Sequence, residues 1–180
     1  MSISGWTPNG FSQSFENVAE TEWIFKMKLS EILHENSIIP EMKAEDKKGV
    51  LETLAEAIAS QEVSVDKGAL VKVLLEREQL GTTGIGDGVA IPHGKLNGIE
   101  RPVISFGRSK MGLDFDSMDG QPTYLFFLLV AASDNSSGVH LQILARIATM
   151  LKSIAFRKKL MEAGTAKELY RAIIQADDET

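Results

Sequence analysis

The chain contains no cysteine in its 180 residues. Disulfides, thiolate metal sites and cysteine nucleophiles are excluded together. The absence is compatible with a reducing compartment. Long apolar runs are missing too: none approaches the ~18 residues of a transmembrane helix. The N-terminus lacks the basic segment followed by an apolar one that marks a secretory signal. Basic charge is in short supply, with 19 Lys and Arg against 25 Asp and Glu, a formal net charge of -6. A broad nucleic-acid surface needs the opposite balance. The expectation is a cytoplasmic protein, not membrane-embedded and without a nucleic-acid partner.

What is present is ordinary for a globular domain: 43% hydrophobic and 24% charged residues. The length suits one domain with a short appendage. Residues 1 to 26 stand apart. They hold Trp6, Phe11, Phe15, Trp23 and Phe25, five of the twelve aromatics, among Ser, Asn, Gly and Thr. They read as an upstream extension partly docked by its aromatics, with a partner-binding or dimerising arm as the alternative.

Apolar spacing predicts four helices. Residues 47 to 60 align Val50, Leu51, Leu54, Ala55 and Ile58. Residues 67 to 79 follow Asp66, a good N-cap, and stop at Gly81. Residues 138 to 152 align Leu141, Leu144, Ile147, Ala148 and Leu151. Thr165 and Glu168 form a capping-box pair that opens a last helix. Residues 103 to 107 and 123 to 131 read as strands, the second apolar enough to be central and covered on both faces. Short strands at 82–85 and 89–91 flank a turn at Asp87 and Gly88. The predicted class is α/β, layered, with helices around a sheet.

The densest unusual stretch runs from Gly81 to Gly94, with five glycines in fourteen residues. Glycine permits positive φ and close backbone approach, and exposed amides can cradle an anion. No Gly-Lys-Ser/Thr of a P-loop follows, and the dinucleotide fingerprint lacks its third glycine. On the glycines alone a tight hairpin is favoured over an anion site. His93, held between Pro92 and Gly94 at a strand end, changes the balance. An imidazole with a pKa near 6.5 is largely neutral at cell pH and can accept a phosphoryl group. A hydrogen-bonded histidine without a role remains the equal alternative. His140 falls in the first turn of a predicted helix, where free amides favour an anion and disfavour a protonated ring. Alone it reads as a capped core histidine. Arg77 lies in its helix's apolar stripe, just before the glycines, and could clamp phosphate or simply snorkel. His34 has no HExxH or Cys/His company, so no zinc set is formed. A G-x-S-x-G elbow is also missing.

The stretch Arg77-Glu-Gln-Leu-Gly-Thr-Thr-Gly-Ile-Gly-Asp-Gly-Val-Ala-Ile-Pro-His-Gly-Lys-Leu96 resembles the active-site motif of a bacterial enzyme IIA. The family is the mannitol/fructose type (type 2) of the phosphoenolpyruvate-dependent phosphotransferase system. The resemblance continues through Leu113-Asp-Phe-Asp, Asp119-Gly-Gln-Pro, His140-Leu-Gln-Ile-Leu-Ala and Glu168-Leu-Tyr, about residues 27 to 176. Gly94-Lys-Leu and Asp119-Gly-Gln-Pro look most like the nitrogen-regulatory branch, whose members stand alone, as this chain is expected to.

The resemblance implies a mixed sheet sandwiched by helices. It implies that His93 is phosphorylated by the histidine phosphocarrier protein, that His140 stabilises it, and that Arg77 lies near the phosphate. Thr83, Gly84 and Gly86 fall in the loop placed near the site. No metal and no cofactor are implied. Phosphate would pass to a transporter component or be read by a regulatory target. The alternatives are a sugar-specific enzyme IIA and, from another class, a binding regulator without phosphotransfer. The family begins at about Met27, so residues 27 to 180 form the expected domain, residues 1 to 26 have no counterpart, and Met27 is a candidate native start. Thr82 replaces the usual serine, Tyr124 replaces a common Asp, and residues 131 to 138 replace a more acidic loop.

Overall fold

A computed structural model describes residues 27–133 and 138–180. Among these residues six strands form one mixed sheet: β1 (Leu33–Ile39), β2 (Gly84–Gly86), β3 (Val89–Ala90), β4 (His93–Leu96), β5 (Val103–Leu113) and β6 (Thr123–Ala132). Five α-helices accompany it: α1 (Lys47–Ala59), α2 (Lys67–Gln79), α3 (Val139–Lys152), α4 (Ile154–Glu162) and α5 (Ala166–Asp178). The strand order is β1-β5-β6-β3-β2, and β4 follows β3 along the same edge of β6. β5 and β6 are antiparallel, whereas β1 runs parallel to β5, and β3 and β4 run parallel to β6.

β6 shows why the sheet is covered twice. Successive side chains of a strand point to opposite faces. Leu125, Phe127 and Leu129 enter one core with Ile143 and Ile147 of α3, Phe156 and Leu160 of α4, and Leu169 and Ile173 of α5. Phe126, Leu128 and Val130 enter the other, with Leu51 and Leu54 of α1 and Leu70 and Leu74 of α2. The continuous apolar run is thus the mark of a strand with no wet face. The mixed sheet sandwiched by helices is therefore as expected.

Local signals hold. Asp66 accepts the Ala69 amide at 2.6 Å, and the Thr165–Glu168 capping box is formed. β2 and β3 pair across Asp87 and Gly88, at φ 54° and 75°. Both residues then occupy the left-handed region, as a two-residue type I′ hairpin requires. A methyl at Gly88 would also lie 2.9 Å from Tyr124 Cδ2.

Four elements depart from the sequence expectation. β1 has only intermittent burial and a register shift between Leu33 and Ile38, so its pattern does not alternate cleanly. α4 is short and buries only Phe156 and Leu160. β5 extends to Leu113, past residue 107, and β4 begins at His93 itself. The extension at residues 1 to 26 and residues 134 to 137 of the altered loop lie outside the described residues. No single helix among the described residues is long and apolar enough to cross a membrane.

Candidate functional site

His93 is the first residue of β4, in register with Leu129 of β6. Gly94 follows it. A methyl there would lie 2.8 Å from Val73 Cγ1, well inside contact distance. The missing side chain lets α2 settle closely against β4, one turn before Arg77. Arg77 thereby reaches the ring: its Nε donates to His93 Nε2 at 3.2 Å, and its Nη1 donates to the Gly81 carbonyl at 3.0 Å.

The other ring nitrogen, Nδ1, lies 2.9 Å from the Ile91 carbonyl. A carbonyl only accepts, so Nδ1 carries the proton and Nε2 the lone pair. Donation from Arg77 to Nε2 demands the same tautomer. Burial pushes the His93 pKa below the ordinary value; the Ile91 carbonyl opposes this, the Arg77 charge adds to it, and the Glu78 charge opposes it. The ring is therefore neutral at neutral pH, with its lone pair aimed at a cation rather than at a proton donor of similar pKa.

His140 is the second residue of α3 and lines the same cleft of about 410 Å³ as Arg77 and His93. Burial pushes its pKa down as well, followed by the charges of Lys95 and His93. Among the described residues no side chain caps the N-terminus of α3. His140 brings a neutral imidazole from the first turn of α3 to the cleft. Lys95 and the exposed Leu80 complete the rim. Sequence reasoning missed Lys95, although strand alternation places it two residues beyond His93 on the same side.

The structure brings His93, His140 and Arg77 together. It does not bring Thr83, Gly84 and Gly86 to the cleft. The Thr83 amide donates to both Glu78 carboxylate oxygens at 3.2 Å, and its hydroxyl donates to one of them. The Gly84 amide donates to Thr82 Oγ1 at 3.1 Å, and that of Gly86 to Ser117 Oγ at 3.2 Å. These amides are spent on the side chains of Glu78, Thr82 and Ser117, since a backbone donor seeks a partner wherever the fold offers one. The glycines serve the turn.

A neutral, half-buried histidine with an unprotonated Nε2, an arginine on that lone pair and a second neutral histidine are suited to accepting a transferable anion. The family model described as "Phosphoenolpyruvate-dependent sugar phosphotransferase system, EIIA 2" matches residues 31–176. The chain belongs to this family. A nitrogen regulatory protein of Bradyrhizobium diazoefficiens is 41% identical over 147 residues, covering 82% of this chain and 95% of that one. The fructose-specific EIIABC component of Bacillus subtilis is 36% identical over 151 residues, 84% of this chain. The chain spans only 24% of that relative. Among solved structures, the nitrogen regulatory protein IIA-Ntr of Neisseria meningitidis superposes with a TM-score of 0.75 at 32% identity, over 81% of this chain and 98% of that one. The EIIA 2 membership makes this domain a component of a phosphotransferase system.

Proposed function

We propose that the domain is a phosphohistidine carrier of the nitrogen-regulatory type, phosphorylated on His93 Nε2 by the histidine phosphocarrier protein. The observation that carries this is the pair of hydrogen bonds on the His93 ring, which protonate Nδ1 and leave Nε2 as the nucleophile. In an in-line transfer, Nε2 forms the new N–P bond as the donor's N–P bond breaks. A ring-protonated phosphohistidine donor leaves as a neutral imidazole. His93, keeping its Nδ1 proton, becomes the ring-protonated product, so charge and protons balance.

Arg77 now occupies the position the phosphorus must take. Its guanidinium is therefore expected to swing from Nε2 to the phosphoryl oxygens, matching the charge where it arrives. His140 and the first amides of α3 would meet the same oxygens, with Lys95 at the rim. Thr83, Gly84 and Gly86 would act by holding the hairpin rather than by touching phosphate. About two added negative charges at the cleft mouth give a regulatory target something to read.

The higher identity to the nitrogen regulatory relative, together with the superposition on the Neisseria protein, supports the regulatory reading. The fructose-specific relative supports a second one, in which phosphate passes to a transporter component. The test is intact mass after incubation with phosphoenolpyruvate, enzyme I and the histidine phosphocarrier protein, beside a His93→Ala control. One acid-labile phosphate on the wild type and none on the control is the expected result. A phosphate that persists in His93→Ala, or none on the wild type with active donors, overturns the reading. Rapid loss of the phosphate to a fructose-type IIB acceptor would favour the transporter role.

A further inference from the structure

Lys47 is the first residue of α1, directly after the Asp46 N-cap. The helix dipole is positive there and disfavours a cation; the Asp46 carboxylate at the cap offsets it, and the first turn itself adds no acidic residue. A lysine at such a position calls for a reason elsewhere. Its Nζ lies 3.1 Å from Glu78 Oε2, 2.8 Å from Asp116 Oδ2 and 4.8 Å from the Phe115 ring centroid. Glu78 has a side chain only 6% exposed, and its carboxylate grips Thr83 through amide and hydroxyl. The Thr83 carbonyl accepts the Ile91 amide at 3.0 Å. The Ile91 carbonyl is the acceptor for His93 Nδ1. An unbroken chain of polar contacts thus runs from the start of α1 to the reactive ring.

We propose that Lys47 is a positioning residue for the chemistry at His93: it neutralises Glu78, so that this carboxylate can hold Thr83 and the Ile91 carbonyl in place without becoming a counter-ion to the imidazole or drawing Arg77 off Nε2. The inference rests on His93 being the phosphoacceptor.

The physical ground is the burial of Glu78. A carboxylate shielded from water acts over a longer range than an exposed one. Its charge favours protonated His93, against burial and the charge of Arg77. The charged and titratable groups around the ring are Arg77, Glu78 and Glu76 from α2, Lys95 from β4 and His140 from α3. Of the charges that act on the ring, that of the buried Glu78 favours the imidazolium, as does the hydrogen bond to the Ile91 carbonyl. The ammonium partner of Glu78 sets how far its pull extends.

The experiment titrates the His93 ring by NMR in the full chain, without phosphoryl donor, in the wild type, Lys47→Met, Lys47→Arg and Glu78→Gln. The acid limb of the phosphorylation rate is then measured for each. Lys47→Met is expected to raise the His93 midpoint by roughly 0.5 pH unit and to carry the acid limb with it. Lys47→Arg restores both, and Glu78→Gln moves the midpoint down. A lysine that serves only stability would lower the melting temperature and leave midpoint and pH profile alone, which overturns the proposal. If Lys47→Met does not fold, Glu78→Gln decides: a midpoint that stays or rises overturns it. A wild type that takes no phosphate refutes the phosphocarrier reading separately, because the midpoint is read without a donor.

Discussion

Two arginines reach across this fold and meet opposite company. Arg146 of α3 lies against Asp177, a carboxylate 1% exposed, with Nε 2.5 Å from Oδ1, and it donates to the Met27 and Asp177 carbonyls at 2.9 and 3.0 Å. Asp177 also accepts the Leu29 amide at 2.8 Å, so the pair ties the first described residues to α5. Arg77 has no carboxylate within ion-pair distance among the described residues; its partners are a neutral ring nitrogen and one carbonyl. Arg146 is electrostatically complete, whereas Arg77 keeps an open demand for an anion. Burial and hydrogen bonding alone do not separate these two arginines. The charge of their partners and the open cleft around Arg77 do, whereas the buried Arg108, held by the Pro40, Leu160, Met161 and Ala163 carbonyls, does not line that cleft.

The sharpest way to break this contrast is to remove each guanidinium. Arg77→Ala is expected to slow phosphorylation by the histidine phosphocarrier protein by about 10²- to 10³-fold, as when one transition-state donor is lost. Its chemical denaturation midpoint should barely move; a large loss of stability with normal rates would place Arg77 with Arg146. The converse substitution, Asp177→Asn, leaves Arg146 without its anion. It should cost ~3 kcal/mol in equilibrium unfolding, as for a broken buried pair, with a normal rate per folded molecule. A rate defect there would show that the two ends of the domain are coupled.

A subtler probe is Gly94→Ala, which pushes Val73 and hence Arg77 away from β4. We expect phosphorylation to fall about tenfold, because small misplacements near a reacting centre are costly. An unchanged rate would mean that α2 adjusts freely. The smallest effect concerns pH. The folded His93 pKa lies below its unfolded value near 6.5. Between the two values the unfolded chain binds more protons, so stability rises with pH in that window. This contribution is complete above about pH 6.5 and is lost as pH falls toward the folded pKa. An NMR midpoint at or above 6.5 would contradict the burial argument.

How much was legible depended on how local each signal is. The Thr165–Glu168 capping box, the Asp66 cap and the Asp87–Gly88 hairpin each lie within a few residues, and each is formed. β6 was legible because its two faces are both dry. β1 was not: its partner strand lies some seventy residues downstream, and its polar His34, Glu35 and Asn36 are exposed. At the site, His93, His140 and Arg77, named from residue type and resemblance, line one cleft. The contact between Arg77 and His93 was hidden, because it depends on Gly94 admitting Val73 from another element. The Thr83 contact with Glu78 was hidden for a similar reason: a glycine-rich loop announces free amides, and only the fold shows that they are taken.

The Ile91 carbonyl has one more consequence under the proposed chemistry. A ring that keeps its Nδ1 proton after Nε2 is phosphorylated is a cation bonded to phosphorus, and it leaves as neutral imidazole, far more readily than an unprotonated ring leaves as imidazolate. The same 2.9 Å contact would then govern the lifetime of the phosphorylated state. A carrier must hold its cargo loosely enough to surrender it, and here that looseness would be written into a backbone oxygen, which no side-chain substitution can delete.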